Sequence, residues 1–353
     1  MKPGGGLLAA CCKSFNEIME NQMIAMIPTR RLQTALRLCL PALALICASA
    51  AAQQWPAKTV RIIVPFPPGQ AADLVARVMA ERLSAVLGQQ VIVENRPGAG
   101  SVVGSEMAAK SPPDGYTFLA GGTSALVINP HLYAKLGYDT LRDFAPITQT
   151  ATNTFGLVIN PVLPVKSVKD LVAIAKSRPN ELSFASFGIG NQTHLGGELF
   201  AQQIGIRMLH VPYKGETPAV IDLLSGQIAL IFSPMQGVVP HIRTGKLKLL
   251  ATCGVARAPA FPEAPSMTEA GFKTVVITGW TGLLAPTGTP RDIVDKLQKE
   301  IAARLLAPET RESMSKQGAE PVASTPDQFM AVIKAEMTKW SAVIKTAGLE
   351  ATQ

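Results

Sequence analysis

Thiols are scarce where they would count. The 353-residue chain has five cysteines, but Cys11, Cys12, Cys39 and Cys47 fall in a segment that reads as a removable leader. Cys253 then stands alone, so the exported protein is expected to have no internal disulfide. It sits in the apolar run Leu247 to Val255 and reads as a small core residue. Charge is also thin, at 16%. With no basic run and no aromatics interleaved among basic residues, nucleic acid is a poor partner. No apolar run reaches the ~20 residues of a membrane-spanning helix, and no low-complexity tract or short repeat interrupts the chain.

What is present starts with a targeting segment. Arg30, Arg31 and Arg37 are basic, and Leu38 to Ile46 is an apolar run broken only by Pro41. Ala48-Ser49-Ala50 and Ala50-Ala51-Ala52 both suit a small-residue cleavage site. A Sec-type signal peptide cut near Ala50 to Ala52 is expected, which places the mature protein in the periplasm and makes residues 1–52 a leader. The residues before Met23 or Met26 read as an over-long translation start. Five of the 33 basic and two of the 25 acidic residues leave with the leader, so net charge falls from +8 to +5. That mild excess favours acidic solutes. The ~300 residues left are enough for two domains with cores of their own.

Beyond the leader, strands alternate with helices, which predicts parallel sheets covered by helices. Val60 to Val64 reads as a buried strand, and Pro65-Phe66-Pro67-Pro68-Gly69-Gln70 as a stiff turn. Leu74, Val75, Val78, Met79, Leu83 and Val86 then give an amphipathic helix that Gly88 stops. Proline donates nothing, so the amides of Gly69 to Asp73 at the positive helix end form a cup for a small anion. Leu182 to Leu195 repeat the arrangement, an apolar strand and a glycine-bearing turn through Gly188 and Gly190 leading into a helix. Two such cups predict two α/β lobes facing one ligand. Strands are also expected at 155–159 and 275–286. If these two stretches cross between lobes, residues 53–157 plus 279–353 form the first lobe and 158–278 the second.

Reaction chemistry is missing. Pro97-Gly98-Ala99-Gly100-Ser101-Val102-Val103-Gly104 resembles a dinucleotide loop, but no acid follows for a ribose. It reads instead as a compact turn on the hinge side. His194 and Glu198 lie one helical turn apart without the further ligands of a zinc site, so capping and packing explain them. His131, His210 and His241 have no nucleophile motif nearby. No cofactor or metal is expected.

Several motifs together resemble one family. They are Val64-Pro65-Phe66-Pro67-Pro68-Gly69, Glu94-Asn95-Arg96-Pro97-Gly98-Ala99-Gly100, Pro113-Asp114-Gly115-Tyr116, His194-Leu195-Gly196-Gly197-Glu198-Leu199-Phe200, Val211-Pro212-Tyr213-Lys214-Gly215 and Ala285-Pro286-Thr287-Gly288-Thr289-Pro290. In this order, from Trp55 to Leu349, they resemble the Bug family, the extracytoplasmic solute receptors of tripartite tricarboxylate transporters. The resemblance implies a type II periplasmic-binding-protein fold, two α/β lobes with hinge crossovers closing on a small organic carboxylate. It also implies membrane transporter subunits as partners, a monomer, and no enzymatic activity. The ligand-binding positions that match are Phe66, Pro68, Gly69, Gln70, Ala71 and Asp73 on one lobe. On the other they are Ser186, Gly188, Gly190, Asn191, Gln192, Thr193 and His194. Two positions depart from the family pattern. Gln70 replaces a usual glycine and is expected to line or narrow the pocket, and Ala229 replaces a usual aspartate, which is expected to disfavour ligands with an amino group and leave the cleft more apolar. A periplasmic sensor subunit and an enzyme acting on an organic acid are the alternative readings.

Overall fold

The computed structural model describes residues 55–178 and 180–349. The signal peptide, its cleavage site and the translation start lie outside the described residues. β1 (Val60–Val64) runs parallel to both β2 (Val91–Asn95) and β3 (Thr117–Gly122). α1 (Ala71–Leu87) and α2 (Val102–Ala109) form the crossovers between them. Gly88 ends α1 in the left-handed region at φ 66°, as an achiral residue does readily. The buried face of α1 is Ala72, Val75, Ala76, Met79, Ala80 and Leu83. Leu74 and Val86, expected on that face, are exposed instead, because small alanines let the helix sit close to the sheet.

The second half repeats the plan. β5 (Ser183–Ser186) is parallel to β6 (Leu209–Pro212) and to β7 (Leu230–Pro234). Here α4 (Gln192–Ile204) and α5 (Glu216–Ser225) are the crossovers, and α3 (Val168–Ser177) leads into β5. α4 packs without clearance. A Cβ on Gly197 would collide with the Phe184 ring, and one on Gly196 would lie 2.5 Å from Ile277 Cδ1. These glycines let the helix settle on β5 and β7, where Phe184 and Phe232 are fully buried. Burying one such side chain contributes about 1.5–3 kcal/mol.

Two strands join the halves and break the expected parallel pattern. β4 (Phe144–Ile159) pairs antiparallel with β9 (Thr278–Pro286) along 144–154, and then with β7 and β8 (Lys248–Thr252) along 155–159. β9 is also antiparallel to β3, and β10 (Ala319–Pro321) pairs with β4. The strand order is β2-β1-β3-β9-β4-β7-β5-β6. α6 (Met235–Arg243) follows β7. Three longer helices, α7 (Arg291–Leu305), α8 (Pro308–Ser315) and α9 (Pro326–Ala347), follow β9. Cys253 is fully buried, and burial pushes its thiol pKa up. Among the described residues no helix is long and apolar enough to cross a membrane.

Candidate functional site

Helices begin where strands end, and four of those beginnings meet at one cleft of about 750 Å³. Ala71, Gln192 and Glu216, the first residues of α1, α4 and α5, line it, as does Pro234, which precedes α6. The first amides of a helix have no intrahelical acceptor, and the macrodipole makes that end positive. An anion can therefore be held without burying a lysine or arginine beside it. Lys214 is the sole cation among the described lining residues, and it is exposed.

The structure brings Phe66, Gln70 and Ala71 to one wall and Gly188, Asn191, Gln192 and Thr193 to the other. Asn191 caps α4: its Oδ1 accepts from the amides of Thr193 at 3.0 Å and His194 at 3.1 Å. The Thr193 hydroxyl donates to the same Oδ1 and accepts from the Phe187 amide. Gln192 Nε2 reaches the Thr278 carbonyl at 2.7 Å, tying this cup to β9. Gln70 does line the cleft, and its Nε2 lies 3.2 Å from where a Cβ on Gly215 would sit.

The other expected positions, Pro68, Gly69, Asp73, Ser186, Gly190 and His194, are not among the lining residues. Gly69 does not offer its amide to the cleft, because it donates to Asp73 Oδ2 at 2.9 Å. Asp73 is buried and also accepts from Arg77 and Asn95. Burial raises its pKa, but the donors from Arg77, Gly69 and Asn95 outweigh this and hold it below the usual carboxylate range. Asp73 thus shapes the first turn, and Pro68 is exposed beside it. Ser186 Oγ lies 2.6 Å from His210 Nε2. His194 Nδ1 accepts from the Gly190 amide at 3.0 Å, and its ring stacks on His210 at 4.0 Å between centroids. Burial, with His194 next, lowers the His210 pKa to about 4. Gly190 faces Leu132, which would collide with any Cβ there.

Two expectations need correction. The 97–101 loop is not hinge-side support; it lines the cleft. Ala99, Gly100 and Ser101 all have positive φ, and the Gly100 carbonyl is held by Asn129 Nδ2 at 2.8 Å. Such local strain persists only where the surroundings over-determine it. Ala229 packs on the core outside the cleft lining, so an aspartate missing there does not change the cleft's polarity. Sequence reasoning overlooked Tyr213 to Glu216, Asn153, Phe155 and Trp280 as lining residues. The signal for the first group was in hand, because β6, Gly215 and α5 repeat the strand–glycine–helix pattern of the two cups.

A family model described as "Tripartite tricarboxylate transporter family receptor" matches residues 75–349. The chain belongs to this family. Protein BugT of Bordetella pertussis is 40% identical over 304 residues, covering 86% of this chain and 93% of BugT. The periplasmic binding protein BugD is 34% identical with a TM-score of 0.79, over 84% of this chain and 100% of BugD. An R. palustris protein solved with adipate is 34% identical at a TM-score of 0.82, over 84% and 100%. MatC from Rhodopseudomonas palustris with bound malate is 29% identical at 0.77, over 82% and 100%. The receptor family thus shares one two-lobe α/β binding fold with this chain.

Proposed function

We propose that this receptor captures a small organic carboxylate in the periplasm and delivers it to the membrane subunits of a tripartite tricarboxylate transporter. The observation that carries this reading is the convergence of helix N-termini from both halves of the chain on one cleft, where exposed Lys214 is the sole cation among the described lining residues. The lobes are residues 53–157 plus 279–353 and residues 158–278, with β4 and β9 as the hinge. Phe66, Gln70 and Ala71 face the ligand from the first lobe, and Gly188, Asn191, Gln192 and Thr193 from the second. Asp73, Ser186, Gly190 and His194 support these cups from buried positions, and Pro68 and Gly69 form the exposed turn before α1. Dicarboxylates in the adipate and malate structures support the ligand class. Delivery then requires only lobe opening. Protein purified from its host should retain an organic acid visible by native mass spectrometry, and calorimetry should show that acid binding without being consumed. Turnover of the retained acid, abolished by His194→Ala, would instead favour an enzyme.

A further inference from the structure

The two cups treat their first helical amides differently. Asn191 turns its side-chain oxygen onto the amides of its own helix, α4. Gln70 holds the matching N-cap position of α1, yet its side chain makes no capping hydrogen bond. It is half-buried and lines the cleft instead. Its Nε2 lies 3.2 Å from the place of a Cβ on Gly215, and Pro67 Cγ lies equally near that point. Gly215 is the N-cap residue of α5 and also lines the cleft. The Gln70 carboxamide therefore sits between the starts of α1 and α5. From the α5 side Gly215 brings no side chain, and the carboxyl of Glu216 packs over α6 at Gly237, where any Cβ would collide with it. Gln70 fills this part of the cleft from across it.

Ala71 and Ala72, which carry the first amides of α1, are lining residues. A carboxylate held there has the Gln70 side chain as its immediate neighbour, because that side chain branches from the residue before. A ligand chain extending from this point toward α5 meets the carboxamide. Packed side chains yield little space to an intruding group. A chain that reaches the carboxamide must displace it or keep the lobes apart. We propose, resting on the receptor reading above, that Gln70 is a specificity-determining residue whose bulk limits the length of the carboxylate the cleft accepts.

Calorimetry on two straight-chain series tests this, the diacids from succinate to suberate and the monoacids from butanoate to octanoate. Wild type is compared with Gln70→Gly, which empties the space, and with Gln70→Met, which fills it without an amide. Glycine is well tolerated at an N-cap, and Gln70 has no capping bond to lose, so both variants keep α1. In wild type, affinity should rise with chain length and then break off. Each further methylene buried is worth about fourfold in affinity, so acids just beyond that limit should bind Gln70→Gly about tenfold tighter than wild type. Gln70→Met should keep the wild-type limit. An unbroken rise in wild type, or the same limit in wild type and Gln70→Gly, would overturn the proposal and leave the receptor reading standing. A limit that moves as far in Gln70→Met as in Gln70→Gly would overturn it too, by assigning selection to the amide's hydrogen bonds. Binding of no acid in either series would overturn the carboxylate reading, and the proposal with it.

Discussion

At the scale of single residues, a buried carboxyl and a half-buried histidine give stability opposite dependences on pH. The Glu216 carboxyl holds its proton to about 8 in the fold, against an ordinary 4.5. Between those values the folded state binds more protons than the unfolded one, so stability falls as pH rises, by up to about 1.4 kcal/mol per unit. His210 is lowered from 6.5 to about 4. There the unfolded state binds more protons, and stability falls as pH drops through that window. Above pH 6.5 only the Glu216 effect remains of the two. Urea unfolding midpoints should therefore decline between pH 6.5 and 8 in wild type and stay level in Glu216→Gln. An equal decline in both proteins would show that Glu216 is not its source. Neither residue's state was legible beforehand, because burial depends on packing between elements distant in sequence. Gly69 illustrates the same limit, since the donor needs of Asp73 were invisible in the turn's own pattern.

Elements were legible where local signals agree with the fold. α3 occupies Val168 to Ser177 behind a local start signal, Ser167 and Asp170 forming a reciprocal capping box. β4 was anticipated only from Phe155, yet it starts at Phe144. Its first part, Thr148 to Asn153, is polar and carries register shifts, so neither alternation nor an apolar run marks it. The structure satisfies it with tertiary bonds instead: Thr148 Oγ1 donates to the Ser324 carbonyl, and the Thr150 and Thr281 hydroxyls pair at 2.9 Å. α6 went unseen because Gly237 and Pro240 read as breakers; the glycine's role becomes clear only with Glu216 in place. The second cup rests on the Asn191 cap, and Asn191→Ala removes the acceptor for two helix amides. Urea denaturation should show a loss of about 1–2 kcal/mol, accompanied by weaker binding of the retained acid. Unchanged affinity in a variant that has lost this stability would separate the cap from the ligand site.

Across the whole molecule, closure depends on how closely two walls can meet, and glycines set that limit. Gly215 faces Pro67 and Gln70, with each side chain 3.2 Å from its missing Cβ, and Gly190 faces Leu132. In the proposed lobe assignment, Pro67, Gln70 and Leu132 lie on the first lobe and both glycines on the second. In that assignment the two close approaches act as steric stops on lobe closure. At Gly190 an added methyl would collide with Leu132, besides the strain of placing a side chain at φ +79°. Gly190→Ala should hold the lobes apart, raise the radius of gyration measured by small-angle scattering with ligand present, and weaken binding about tenfold. Adding Leu132→Ala removes the obstacle but not the backbone strain. The double variant should recover most of the compaction and affinity, because the two residues couple through direct contact. A double variant that binds no better than Gly190→Ala alone would assign the defect to the strained backbone of the cup and remove this contact as a stop on closure.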